Sequence, residues 1–524
     1  MSAIHEQAMT HVYQQILQRL LGFYSRAERT ALQLLIQRLI VAAGGIDRIG
    51  DYRVLTVQNG SRDSFYVLTA LRAAQLSIAG RHPVTFDLRV ATPRLSETTQ
   101  STLENIHRCY SALFIYDDPR VELLMADNRE VLPFNHKQPL SVVGHEASRM
   151  DMLVLGHLRS AHSPLEVGDD GYLAMAEFYR HMARWEAGVD SLVSSDTPRQ
   201  QKQFMSGLRR ATRKIGLTAD HTGGFDSLFT QLDALGSDLY QHFYGQDRFD
   251  AWRPEGHFEA CRRVGHIGID DLIVDRLEET NWPLFNEFLR VQTDSLIASA
   301  PENEYVSPLL SAHLHGLQAC YLQGRSYETG YGDYVQRALM IMHRKQLPEH
   351  ACQQARELFG SPSAIPERRA QAAIQAQQIL GLNETQLVCM LFAPFVEQGA
   401  GLEHFLRCCH PGMLVAMPDL HKAMQGAAIA DQVAQWMVDV SGLSIDVLGK
   451  LYRASIALSQ ETVSGGIRSK PLMASTPKKP GRAPMVCANA WQGTEVRGLT
   501  DSSTLYPAGA PEWPVTARSF GPTP

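Results

Sequence analysis

The stretch "YRVLTVQNGSRDSFYVLTALRAAQL", residues 52–76, predicts a strand that turns sharply into a helix. "YRVLTV" is short, apolar and rich in β-branched residues, which is typical of a strand. "SFYVLTALRAAQLSIAG" has helical character and ends at Gly80. In an open α/β sheet the loop between such a strand and its helix is a common place for a ligand. The stretch therefore indicates an α/β module and a first candidate site.

The same strand–helix order continues downstream. "VTFDLRVAT" (84–92) predicts a second strand, "SETTQSTLENIHRCYSA" (96–112) a second helix, and "LFIY" (113–116) a third strand. "RVELLMAD" and "EVLPFN" add a hairpin around Asn128. A β-α-β-α-β order favours a parallel sheet with helices packed on it. Because the unit is short, it is either an incomplete Rossmann-like module or one that a later segment completes.

The segments around this module are predominantly helical. Residues 6–43 predict a helical hairpin whose second helix starts with Ser25 and Glu28 in a capping-box pattern. From about 140 to 460 helical patterns follow one another and strand signals nearly vanish. Residues 461–524 hold 9 of the 26 prolines, a composition typical of a disordered tail. We therefore predict an α+β, predominantly helical fold with four parts, at 1–45 (hairpin), 46–140 (Rossmann-like module), 141–460 (helical domain) and 461–524 (Pro-rich tail).

Composition narrows the cellular setting. The net charge of −6 over 524 residues gives no strong field, so nucleic acid is not a favoured partner. The N-terminus lacks the features of a secretory signal, and every apolar run is shorter than the ~18 residues of a membrane span. Eight scattered cysteines without a CxxC fit reduced thiols, and 40 Arg against 9 Lys indicates GC-rich, bacterial coding. A cytoplasmic protein is expected, although a protein exported without a signal would look the same.

The loop after the first predicted strand is the main candidate for ligand binding. A helix that starts there presents free N–H groups and the positive end of its dipole to an anion. Gly60 would let backbone approach a ligand, and the neighbouring polar side chains suit a phosphate. The competing interpretation is a simple turn with a helix cap, because neither GxGxxG nor GxxxxGK[ST] is present. The candidate residues in this loop are Asn59, Gly60, Ser61, Arg62 and Ser64.

Two adjacent acids form the second half of the predicted ligand site. Asp117 and Asp118 follow "LFIY", and residues past the carboxyl ends of parallel strands line the ligand crevice. Such acids suit a ribose, a metal or a sugar donor. The competing interpretation is a turn before Pro119, where Asp is common. If the 58–64 loop and residues 117–118 line one pocket, ligand binding gains support.

Metal and catalytic motifs give weaker signals. "EHFLRCCHPG" (403–412) and "SAHLHGLQAC" (311–320) combine His and Cys, but with spacings that suit zinc poorly, so no metal is predicted. The sequence contains no HExxH, GxSxG or kinase signature set, and it identifies no cofactor. A Ser-His-Asp grouping stays open, because its members need not be close in sequence.

A basic strip indicates one further partner class. Residues 199–214 carry six basic residues and no acid, so a helix there would present a positive surface to an anionic partner. A solvated helix face is the competing interpretation. The basic residues are Arg199, Lys202, Arg209, Arg210, Arg213 and Lys214.

These observations lead to two functional hypotheses. The first is a non-catalytic intracellular adaptor or regulatory protein whose helical domain binds another protein. The second is an enzyme or sensor that binds a nucleotide or phosphorylated ligand at the strand ends of the α/β module. The sequence leaves open whether the protein is an enzyme.

Overall fold

In the computed structural model of the chain, six short strands among the described residues form a mixed sheet. The structure describes residues 3–96, 98–127, 130–159, 168–217, 225–235, 263–273, 283–291, 307–344 and 349–454. The strands are β1 (Arg53–Val57), β2 (Asp87–Pro93), β3 (Val121–Ala126), β4 (Val131–Pro133), β5 (Ser191–Ser194) and β6 (Gly265–Gly268).

Helices make up most of the described chain, as the sequence predicts. The first eight are α1 (Ala3–Phe23), α2 (Arg26–Ala43), α3 (Arg62–Ala79), α4 (Gln100–Ala112), α5 (Val142–His157), α6 (Asp169–Arg184), α7 (Pro198–Lys214) and α8 (Leu228–Leu235). The later ones are α9 (Pro308–Gln323), α10 (Tyr327–Arg344), α11 (Glu349–Phe359), α12 (Ile365–Gln375), α13 (Glu384–Phe392), α14 (Leu402–Cys409), α15 (Met417–Met424), α16 (Asp431–Ser441) and α17 (Ile445–Arg453). The fold is thus α+β and predominantly helical, and no helix among the described residues is long and apolar enough to cross a membrane.

Side-chain caps mark the starts of several helices. Ser25 and Glu28 form both hydrogen bonds of the predicted capping box at α2. Thr197 caps α7, with Pro198 in the first turn, where its missing N–H costs nothing. Asn383 and Gln386 form a capping box at α13.

The strand order is β4-β3-β2-β1-β5-β6. Five strands run parallel, and β4 pairs with β3 antiparallel at the edge. The chain therefore adds strands outward on one side of β1, then returns to place β5 on its other side. The order reverses between β1 and β5.

Neighbouring residues on a strand face two separate cores, as the period-2 geometry of a strand requires. Val54 belongs to a core shared with α1, α2, α3 and α4. Leu55 belongs to a core shared with α5 to α8 and with most of the later helices. Helices thus cover both faces of the sheet, and the ends of the central strands remain for a site.

The third strand differs from the prediction. "LFIY" is not a strand, because Leu113 caps the end of α4 and Phe114 has a φ of 52°, which cannot continue a ladder. Leu113 and Ile115 are apolar because they are buried beneath the helices. The parallel third strand is Val121–Ala126, which also forms the predicted hairpin with β4.

Two strands come from the stretch where strand signals nearly vanish. Each of β5 and β6 spans four residues, and together they extend the sheet beyond β1. A later segment therefore adds to the sheet that begins in residues 46–140. The division at 45, 140 and 460 stays a prediction, and the Pro-rich tail at 461–524 lies outside the described residues.

Candidate functional site

The carboxyl ends of β1 and β5 lie side by side at the point where the strand order reverses. Leu55 pairs with Leu192, and each strand ends two residues later, at Val57 and Ser194. Helix α3 follows β1, and α7 follows β5, so both helices begin at this edge. Open α/β sheets bind ligands outside the strand ends at such a reversal.

Several polar groups in the loop between β1 and α3 form hydrogen bonds with one another. The Ser61 amide donates to Asn59 Oδ1 at 3.0 Å, and the Ser64 amide donates to Ser61 Oγ at 3.2 Å. The Ser64 hydroxyl bonds to the buried side chain of Gln58. These bonds are those of a turn and a helix cap, which was the competing interpretation of the loop.

Gly60 is required by packing against α4. Its φ is +81°, and a Cβ at this position would lie 2.3 Å from Thr102 Cγ2. Such a separation is far below van der Waals contact, and the positive φ disfavours any other residue. Gly60 therefore permits the loop to pack closely against the first turn of α4.

Arg62 lies at the first position of α3 and packs on an aromatic ring. Its guanidinium carbon is 5.2 Å from the centroid of Phe285, a cation–π distance. Desolvation by burial lowers the pKa of Arg62, and the charge of Asp63 opposes that shift. The side chain thus joins the loop to the segment Leu284–Phe288.

Asp117 and Asp118 lie at the other end of the strands, beside their amino ends. They precede β3, whose first residue Val121 pairs with Leu88 near the start of β2. Because strands rise about 3.3 Å per residue, roughly 20 Å of sheet separates them from the 58–64 loop. The structure therefore does not bring the two halves of the predicted ligand site together.

Asp118 serves a buried ion pair. Its Oδ2 is 2.7 Å from both Arg72 Nη1 and Arg120 Nη2, while Asp117 is exposed. Burial alone would raise the pKa of Asp118, but the hydrogen bonds and charges of Arg120 and Arg72 outweigh it and lower the pKa to about 2.

A serine, a histidine and an aspartate form a hydrogen-bonded series at the end of β5. Ser194 Oγ is 3.0 Å from His266 Nε2, and His266 Nδ1 is 3.2 Å from Asp226 Oδ1. With the proton on Nδ1, the imidazole donates to Asp226 and accepts from the Ser194 hydroxyl. This is the arrangement of nucleophile, base and orienting acid that acyl-transfer enzymes use.

The surroundings of these three residues differ from one another. The His266 side chain is 6% exposed and meets the Phe225 ring edge-on at 4.8 Å, whereas the Asp226 side chain is 90% exposed. Ser194 is half-buried. The imidazole is thus largely shielded from solvent, whereas the acid that orients it is exposed to solvent.

The sequence alone does not indicate this group. Ser194 and His266 are 72 residues apart, and His266 and Asp226 are 40 apart. The sequence signals for it are two short runs, "SLVS" and "GHIG". They lie in the region predicted to be helical, and four residues are too few to decide by periodicity.

The basic strip forms one face of α7, and part of its charge is used internally. Arg210 and Lys214 are 2.7 and 2.5 Å from the carboxylate of the buried Asp169. Arg199 and Lys202, by contrast, are exposed near the start of the helix, at the carboxyl edge of the sheet.

The two His/Cys clusters do not converge. On α9 His313 bonds to Tyr327 at 2.8 Å, whereas His315 stacks on Tyr334. On α14 Cys408 is exposed and Cys409 is buried. Among the described residues there is no group of three or more His, Cys, Asp or Glu side chains that could hold a metal ion.

Comparisons with known proteins leave the site to be interpreted from its own chemistry. No family model, no curated protein and no solved structure matches the chain.

Proposed function

We propose that the protein binds a small phosphorylated ligand, such as a nucleotide, at the carboxyl edge of a Rossmann-like sheet. The observation that carries this proposal is the reversal of strand order between β1 and β5, with a helix beginning after each strand. The parallel order β3-β2-β1-β5-β6 corresponds to that of doubly wound dinucleotide-binding sheets. Two helix N-termini at one reversal point give a positive potential that favours an anion.

The charges near these helix starts support an anionic ligand. Arg62 is the first residue of α3, and Arg199 and Lys202 lie in the first turns of α7, which has no acid there. Cations at a helix N-terminus oppose the helix dipole and destabilise the helix. A bound phosphate removes that conflict, because it interacts favourably with both the dipole and the cations.

The test is a calorimetric screen of the full chain against nucleotides, sugar nucleotides and phosphate esters. The double variant R199A/K202A loses two charge-assisted contacts, so its affinity for a hit falls about a hundred- to ten-thousandfold. Arg213→Ala is the matched control, since Arg213 is exposed at the far end of the same helix. A screen without a hit, or equal losses in both variants, contradicts the proposal.

A second proposal keeps the adaptor function, in which the helical surface binds another protein. It is favoured by two adjacent exposed valines, Val142 and Val143, at the start of α5, and by exposed Val415. Apolar side chains in contact with water suit a protein partner when they form a patch. Affinity capture from cell extract tests this, and V142N/V143N abolishes a recovered interaction if the α5 start is the contact.

The proposed cytoplasmic, bacterial setting rests on composition alone.

A further inference from the structure

We propose that Ser194 is a catalytic nucleophile and that the carboxyl edge hydrolyses a carboxylic ester or thioester. His266 acts as the general base, and Asp226 orients the imidazole. The expectation that the substrate also carries a phosphate group rests on the proposed function above, whereas the nucleophile itself does not.

The hydrogen-bond geometry supports this assignment. A general base must lie within about 2.6–3.2 Å of the proton-bearing atom, and the distance from His266 Nε2 to Ser194 Oγ is 3.0 Å. The other nitrogen, Nδ1, is 3.2 Å from Asp226 Oδ1, so a carboxylate is placed to stabilise an imidazolium. The Phe225 ring packs against the imidazole and limits its rotation.

The sheet holds the nucleophile in place. The Ser194 carbonyl accepts from the Ile269 amide at 3.0 Å, which ties the end of β5 to the end of β6. On the other side, the preceding carbonyl, that of Val193, accepts from the Thr56 hydroxyl of β1. Ser194 thus lies at the end of a strand bonded on both sides, and a rigid support of this kind keeps a reactive atom within the small tolerance that catalysis needs.

The start of α7 supplies the electrostatic part of the site. Pro198, its first residue, comes four positions after Ser194 in the chain, so the positive end of the helix dipole lies at the same edge of the sheet as the nucleophile. Negative charge develops on the substrate oxygen during acyl transfer, and a helix N-terminus stabilises such charge.

Water is the second substrate of the proposed hydrolysis. Ser194 Oγ forms a bond to the carbonyl carbon as His266 Nε2 takes the hydroxyl proton. The tetrahedral intermediate then breaks the bond to the alcohol or thiol, which leaves with the proton from His266. Water next adds to the acyl-enzyme and gives a proton to His266. The carboxylic acid departs, and that proton returns to Ser194 Oγ.

The exposure of Asp226 sets the expected order of effects. In a buried Ser-His-Asp group the acid contributes strongly, but solvent screens an exposed pair. Asp226 is 90% exposed, so its loss reduces the rate by less than about tenfold. Loss of the base reduces the rate roughly 100-fold or more.

The experiment treats the full chain with a fluorophosphonate probe and locates the adduct by mass spectrometry of peptides. Labelling is expected at Ser194. It is expected to vanish in Ser194→Ala, to slow roughly 100-fold in His266→Gln and less than about tenfold in Asp226→Asn. Ser195→Ala, at the next position, is the matched control and keeps wild-type labelling. An unlabelled wild type, or labelling that survives in Ser194→Ala with an unchanged rate, overturns the proposal.

A second measurement separates this inference from the proposed function. Hydrolysis of acyl esters is compared between alcohols with and without a phosphate group. If Ser194 is labelled but the phosphate gives no lower KM, the nucleophile stands and the phosphate site does not. If phosphorylated ligands bind by calorimetry but Ser194 remains unlabelled, the phosphate site stands and the nucleophile is rejected.

Discussion

The carboxylate of Asp118 and the guanidinium of Arg72 are 2.7 Å apart, and neither side chain has any exposed surface. Arg120 adds a second contact to the same carboxylate. The ring of Tyr13 on α1 lies 5.0 Å from the guanidinium carbon of each arginine. The pair therefore links α3, the segment before β3 and the N-terminal helix.

Asp118→Asn leaves the guanidinium of Arg72 buried without its counter-ion. Breaking a buried pair in this way costs about 3–5 kcal/mol of unfolding free energy. The control is Asp117→Asn, an exposed neighbour whose substitution changes stability by no more than about 0.5 kcal/mol. Urea unfolding of both variants and the wild type measures the difference. Equal stability in the two variants means that Arg72 finds another partner.

The local parts of this fold are predictable from the sequence, and the non-local parts are not. The caps at Ser25, Thr197 and Asn383 depend on residues three positions away, so the sequence contains the whole signal. Strands β5 and β6 are four residues long and gain their stability from pairing with distant residues. The prediction of a strand at "LFIY" is wrong for the related reason that burial beneath helices and burial in a sheet select the same apolar residues.

The candidate site shows the same division. The 58–64 loop is predictable because a strand, a turn and a cap are adjacent in sequence, but the packing role of Gly60 depends on Thr102 of α4. The ion pair of Asp118 is not visible in the sequence, because its partner Arg72 is 46 positions away. Ser194 is a candidate nucleophile only in the folded chain, where His266 lies within hydrogen-bond distance.

His157 gives the protein an acid-sensitive position. It is fully buried on α5, and neither ring nitrogen has a hydrogen-bond partner among the described residues. Desolvation, together with the charge of Arg159, lowers the pKa of His157 to about 3. Because the folded pKa is below the unfolded value of about 6.5, the unfolded state binds the proton more tightly. The contribution of His157 to the unfolding free energy is therefore greatest above about pH 6.5 and declines as the pH falls toward 3.

The measurement is unfolding free energy against pH for the wild type and His157→Phe. The wild type loses on the order of 3–5 kcal/mol more than the variant between pH 7 and pH 3. His82→Gln replaces an exposed histidine and keeps the wild-type slope. Parallel curves for the wild type and His157→Phe show that His157 does not control the acid response.

Arg62 contributes to stability through Phe285, whether or not a ligand binds. Arg62→Ala removes the cation–π contact at 5.2 Å and costs about 1 kcal/mol. Phe285→Leu removes the same contact from the other side, so the double variant is less destabilised than the sum of the two single ones. A double-mutant cycle by thermal or urea unfolding gives the coupling energy. Strict additivity argues against the contact.

Gly60 allows the structural interpretation of "VQNGSRDS" to be tested directly. Gly60→Ala places a Cβ against Thr102 Cγ2 and imposes a positive φ on alanine, two separate costs. The strain of a positive φ is about 1–2 kcal/mol, and a clash with a packed side chain adds about 1–3 kcal/mol. Thr102→Ser removes Cγ2 but keeps the hydroxyl that bonds to Thr99. In that background Gly60→Ala therefore costs only the strain. Urea unfolding of the two single variants and the double variant measures this rescue. If Thr102→Ser restores nothing while ligand binding is lost in Gly60→Ala, the glycine serves the ligand rather than the contact with α4.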